Sequence, residues 1–116
     1  MRAGVTARVV TIVLASLLAA ACSESDGGSA DPAVERGRRV YLGLCTACHN
    51  ADPAKDGTAG PAIAGASREL LEARVVRGEY PPGYTPKRPS QIMPRFPQLA
   101  GEIDALHAFV NAEAKR

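Results

Sequence analysis

Tryptophan is absent from this chain, and aromatic residues of any kind are scarce: three Tyr and two Phe among 116 residues. A surface for stacking nucleic-acid bases is therefore lacking. So is an excess of positive charge. The 14 Lys and Arg stand against 12 Asp and Glu, but they include Arg2 and Arg8, which belong to an N-terminal leader, and the remainder is balanced. Nothing in that balance points to nucleic acid. No apolar run is long enough to span a bilayer as a helix. Val9 to Ala21 carries no charge, yet it falls short of the roughly 20 residues a spanning helix needs. With so little bulky apolar material, a small domain needs disulfides, a metal or another staple to hold its core, and the cysteines are where to look for it.

Residues 1–21 have the organisation of a secretory signal: a basic start, the uncharged run, and small residues at Ala19-Ala20-Ala21 before Cys22. Leu17-Leu18-Ala19-Ala20-Ala21-Cys22 resembles the lipobox of bacterial lipoproteins, in which the cysteine becomes the acylated N-terminus. It departs from that pattern in having Ala19 where leucine is usual, with Leu18 one step early. The expectation is an exported protein on the periplasmic or extracytoplasmic side, anchored to a membrane by lipidation of Cys22. Residues 22–30 are polar and Gly/Ser-rich, a flexible tether, and residues 31–116 form one domain.

Three cysteines in an exported chain leave one over. With Cys22 assigned to lipid, Cys45 and Cys48 remain as a close pair followed at once by His49. C-x-x-C-H is the spacing of covalent haem attachment. Two thiols three residues apart can each add to one vinyl group of haem, and the adjacent imidazole is placed under the iron. A redox-active dithiol and half of a zinc site use similar spacings. The dithiol expects a βαβ setting, and no convincing strand is present. Structural zinc takes four ligands, and beyond the leader and tether the Cys and His donors are Cys45, Cys48, His49 and His107. The motif alone leaves these readings open.

The domain reads as all-α. Asp31-Pro32 is an N-cap and first-turn pair that predicts a helix from about Pro32 to near Cys45. Gly37, Tyr41 and Cys45 recur every four residues and so share a face; a helix-interior Gly suggests close approach of another backbone. Asn50 to Gly65 is loop-like, with Asp52-Pro53, Asp56-Gly57 and Gly60-Pro61 as breakers. A second helix is expected from Ser67 to Gly78, with Leu70, Leu71, Val75 and Val76 as its apolar side. Glu79 to Pro97 holds Pro81, Pro82, Pro86, Pro89, Pro94 and Pro97, a stiff segment that cannot be helix or central strand. At its centre lies Met93, the only methionine besides Met1. A last helix is expected from Ala100 to about Ala112, with Leu99, Ile103, Leu106 and Val110 as its stripe and Phe109 at the edge.

In this order the motifs resemble a class I (monohaem) c-type cytochrome over the whole domain: Gly37 and Tyr41, then Cys45-Thr46-Ala47-Cys48-His49, Gly60-Pro61, Leu70 to Gly78, Met93-Pro94 and Ile103 to Val110. The resemblance implies the cytochrome c fold, three main helices and long loops wrapped around one covalent haem c. It implies thioethers at Cys45 and Cys48, iron ligation by His49 and Met93, and the Pro61 carbonyl accepting the other ring N–H of His49. It places Gly37 and Tyr41 across the last helix near Leu106 and Phe109, and it makes His107 an outward, boundary residue. The last helix departs from the family in starting at Ala100-Gly101 without a Ser or Thr.

The function so implied is electron transfer between extracytoplasmic redox partners by a non-enzymatic, monomeric carrier, with Met/His ligation suited to the task. Lys87, Arg88 and Arg95 flank Met93 and are expected to offer a positive rim to an acidic partner. The alternative is a haem protein whose Met93 leaves the iron so that oxygen, nitric oxide or peroxide binds, as in a sensor or an enzyme. A haemless lipoprotein using Cys45 and Cys48 as a dithiol is a third possibility.

Overall fold

The computed structural model describes residues 30–115; the leader, Cys22 and the tether as far as Ser29 lie outside them. Helix α1 (Pro32–Leu44) starts where its sequence says it should. The Asp31 carboxylate accepts the Ala33 N–H at 2.9 Å, and Pro32 takes a first-turn position where no N–H is needed. The chain leaves α1 in one further turn, in which the Cys48 and His49 N–H groups donate to the Cys45 carbonyl at 3.2 and 2.9 Å.

The second helix begins and ends as expected but is not wound as expected. Ser67 caps α2 (Arg68–Leu71), its hydroxyl accepting the Leu70 N–H at 3.1 Å. Gly78 closes the element in the left-handed region at φ 72°. In between, Glu72–Arg77 widens into a π-helical turn in place of the uniform α-helix. The widening frees the Val75 carbonyl to accept the Phe96 N–H at 2.5 Å, while the Ala73 carbonyl takes the Gly78 and Glu79 N–H groups. Such turns are rare and concentrate at functional sites.

The last helix starts later than Ala100. A 3₁₀ turn covers Pro97–Glu102, and α3 follows over Ile103–Glu113. No side chain caps either start, so the tighter winding carries the chain into the helix. Among the described residues there is no strand, and the domain is all-helical with three helices.

The core sits where α1 and α3 cross. Gly37 makes the crossing possible: a Cβ there would overlap the Ala105 carbonyl and stand 2.9 Å from the Phe109 Cβ. One turn on, the Tyr41 ring packs on Phe109 with centroids 5.3 Å apart. Leu99, Ile103, Leu106 and Val110 are buried as the stripe predicts, and Phe109, expected at its edge, is buried too at 4% exposure. Arg36 of α1 grips the Glu102 carboxylate through both its Nε and its NH2, tying the start of α3 to the outer side of α1.

Replacing Gly37 by Ala forces two backbones apart and is expected to cost about 1–3 kcal/mol, the scale of core overpacking. Gly43→Ala, also in α1 but with nothing within 4 Å, is expected to be neutral or to stabilise by up to about 1 kcal/mol. Urea unfolding of the two variants measures the contrast, and equal midpoints would remove the crossing as the cause. The Arg36 hydrogen bonds hold the Glu102 carboxyl below the usual carboxylate range. A lowered folded-state value contributes stability above the ordinary carboxylate pKa and loses it as pH falls through the folded value. Glu102→Gln is therefore expected to lower the unfolding midpoint at neutral pH and to match the parent in strong acid.

Candidate functional site

Between the helices and the two long loops lies a cavity of about 600 Å³, within the roughly 300–1,000 Å³ typical of small-molecule and cofactor sites. Its wall is mostly apolar, half of it Ala, Ile, Leu, Val and Pro, contributed by α1, the loop before α2, α2 and its π turn, the proline-rich segment and α3. Cys45, Cys48, His49, Pro61 and Met93, singled out from the sequence, all line this one cavity. Met93 is half-buried on the proline-rich segment, far in sequence from the other four.

The orientation of His49 is fixed twice. Its Nδ1 stands 2.9 Å from the Pro61 carbonyl oxygen. A carbonyl only accepts, so Nδ1 carries the proton and the lone pair is left on Nε2. Gly60 lies flat against the ring; a Cβ there would come within 2.5 Å of Cε1, 2.6 Å of Nδ1 and 2.8 Å of Nε2. The loop that delivers Gly60 and Pro61 has no regular structure, yet it is knitted to the motif. Ala59 and Gly60 N–H groups donate to the Cys48 carbonyl at 3.1 and 2.9 Å, and Ile63 and Ala64 donate to Pro53 at 2.8 and 2.9 Å. The Tyr41 hydroxyl donates to the Asn50 carbonyl at 2.6 Å, and burial, with Cys45 and Asp52 nearby, pushes its pKa up to about 12.

Cys45 and Cys48 are half-buried free thiols. Burial pushes the Cys45 thiol up to about 11, so it is protonated at neutral pH. Among the described residues no three His, Cys, Asp or Glu side chains gather as a metal-binding cluster, which leaves a zinc site without its donors. His107 is half-buried on α3, its carbonyl accepting the Asn111 side-chain amide at 2.9 Å, and it does not line the cavity.

Three wall residues were not anticipated. Arg74, on the π turn, is 8% exposed and has no ion pair among the described residues. It donates to the Gly78 carbonyl at 2.8 Å and lies over the Tyr80 ring, 4.4 Å from its centroid. Tyr80 in turn stacks on Tyr84, with centroids 5.4 Å apart. Arg74 follows Leu70 by four residues, so a helical period could have placed it on the cavity side; a buried arginine is rare enough that the period alone was a weak signal. Of the basic residues flanking Met93, Lys87 donates to the Ala62 carbonyl and Arg88 pairs with the Asp56 carboxylate, both staying accessible to solvent, while Arg95 lies exposed beside Gly78.

No described helix is long and apolar enough to cross a membrane. Compared with protein-family models, curated proteins and solved structures, the chain matches none.

Gly60→Ala is expected to push the His49 ring off the Pro61 carbonyl and to cost about 1–3 kcal/mol of stability. Nitrogen-15 NMR of the imidazole reads it directly: the parent shows proton occupancy at Nδ1, and the variant loses that preference. An unchanged ring spectrum would mean that Gly60 does not set the orientation.

Proposed function

We propose that this chain is a class I c-type cytochrome, an electron carrier holding one haem in the cavity and serving extracytoplasmic redox partners. The observation that carries the reading is the meeting of five residues on one apolar cavity: Cys45, Cys48, His49 hydrogen-bonded through Nδ1 to Pro61, and Met93. The donor set fits the group. Cys45 and Cys48 would hold it by thioethers, and the His49 Nε2 and the Met93 sulfur would bind its iron. The Pro61 bond keeps the imidazole in the tautomer that ligates and raises its basicity. Arg74 sets a buried positive charge in the wall, a match for the carboxylates of haem. When bound, haem supplies a one-electron couple at iron, and Met/His ligation raises its potential. The chain itself supplies ligands, a mostly apolar wall and a fixed ring.

Other readings fare worse on the same residues. A disulfide oxidoreductase activates its thiol by lowering the pKa, whereas burial moves Cys45 the opposite way. A sensor or enzyme that binds oxygen, nitric oxide or peroxide requires Met93 to leave, whereas Met93 lines the cavity packed against the core in a proline-rich segment. The leader of residues 1–21 and Cys22 support export and lipid anchoring, in keeping with a carrier that works beside a membrane; both lie outside the described residues.

Visible absorption of the mature protein, made in a host with haem-attachment machinery, tests the ligand set. A covalent c-type spectrum is expected, with the weak far-red band of sulfur ligation in the ferric form and no carbon monoxide binding in the ferrous form. Met93→Leu is expected to keep the covalent haem, lose that band and bind carbon monoxide. Carbon monoxide binding by the parent would favour the ligand-binding alternative.

A further inference from the structure

Among the described residues, polar contacts fasten the segment that carries Met93 on either side of it, and Met93 and Phe96 pack against the hydrophobic core in between. On its C-terminal side the Phe96 N–H is bonded to the Val75 carbonyl at 2.5 Å. Between Arg88 and Phe96 no backbone hydrogen bond is formed within the described residues. On the N-terminal side the fastening is made by side chains. The Lys87 ammonium donates to the Ala62 carbonyl at 2.8 Å, and the Arg88 guanidinium pairs with the Asp56 carboxylate at 3.0 Å. Both partners belong to the loop that carries Pro61. Asp56 is itself fixed there, its carboxylate accepting the Ala62 N–H at 2.8 Å and its carbonyl accepting the Asn50 amide at 3.3 Å. Ala62 therefore receives Lys87 at its carbonyl while its N–H holds Asp56, and the four residues form a closed patch joining the two loops. The Ala62 N–H and the Arg88 guanidinium, with Lys87 nearby, keep the Asp56 carboxyl below the usual range and so ionised at neutral pH.

We infer that Asp56, Arg88 and Lys87 are positioning residues for Met93: an electrostatic latch that holds the proline-rich segment against the Pro61 loop and sets how readily Met93 swings away from the cavity. The inference rests on the proposed role of Met93 as the distal ligand. Its chemistry is specific. The Val75–Phe96 bond is backbone to backbone and indifferent to salt, whereas the latch consists of exposed charges, with Arg88 and Asp56 side chains 40% and 62% accessible, and is screened as ionic strength rises. Met93 thus lies on the core between one salt-independent and one salt-sensitive fastening, and the salt dependence of distal-ligand exchange should follow the second.

The test uses the haem-loaded protein and its variants Asp56→Asn, Arg88→Gln and the double substitution. The first readout is the rate at which added imidazole displaces the sulfur ligand of the ferric form, followed at the far-red band. The second is hydrogen exchange of the amides from Ser90 to Phe96 by mass spectrometry, which needs no assumption about ligation. The expected result is a rise of about two- to five-fold in both rates for each single variant, the scale on which an exposed ion pair acts. The double variant should add little more. Salt should raise the parent's rates toward the variants' and leave the variants unchanged. Lys87→Met should act in the same direction. Unchanged rates in all variants, with the far-red band present in the parent, would overturn the latch while leaving Met93 as ligand. A parent without that band would overturn the ligand assignment, and hydrogen exchange would then decide the latch on its own: faster exchange in the variants upholds it as a fastening of the loop, and equal exchange ends it.

Discussion

At Gly37 the backbone of α1 lies against the backbone of α3, and nearly everything else in the domain takes its position from that contact. The crossing buries Tyr41 against Phe109 and aims the end of α1 so that the turn beyond it opens on the cavity. Cys45, Cys48 and His49 are carried on that turn, one after another, by hydrogen bonds to the Cys45 carbonyl. A larger residue at position 37 would tilt α1 and move all three together. The closeness that only glycine permits is thus linked, through one helix, to the geometry of the site.

The small number of bulky side chains explains the rest of the architecture. The first and last helices close on each other at Gly37, and beside that crossing the domain leaves a mostly apolar cavity of about 600 Å³. Loops do the work that side chains do elsewhere. The segment from Asn50 to Ala66 is irregular but bonded back on itself and onto Cys48, and it delivers a carbonyl to His49 at 2.9 Å. The proline-rich segment is stiff by composition instead of by hydrogen bonding. A cofactor filling the space would extend the core formed at the crossing, which makes its attachment a matter of stability as well as of chemistry.

What could be read from the sequence was whatever depends on near neighbours. Asp31-Pro32, Ser67 and Gly78 mark element ends by chemistry confined to a few residues, and each of them holds its place. The Cys45–His49 spacing and the Gly60-Pro61 breaker were legible for the same reason. The π turn was not, because it arises from a demand elsewhere: the Phe96 N–H draws on the Val75 carbonyl, and no property of Glu72–Arg77 announces that partner. Arg74 was missed because a buried arginine is rare and its ring partner, Tyr80, lies beyond the end of the helix. The partners of Lys87 and Arg88, Ala62 and Asp56, were not legible because they belong to a loop distant in sequence. The start of α3 shifted from Ala100 to Ile103 because, without a capping side chain, nothing local marks it.

The central claim is that the cavity holds a haem bound through Cys45 and Cys48, and intact-protein mass after denaturing extraction tests it most directly. The protein should be made in a host whose attachment machinery loads another c-type cytochrome in parallel. The expected result is one haem per chain that survives extraction and is lost when Cys45 and Cys48 are both replaced by Ala. The mass of the bare chain, with both thiols free to alkylate, would contradict it.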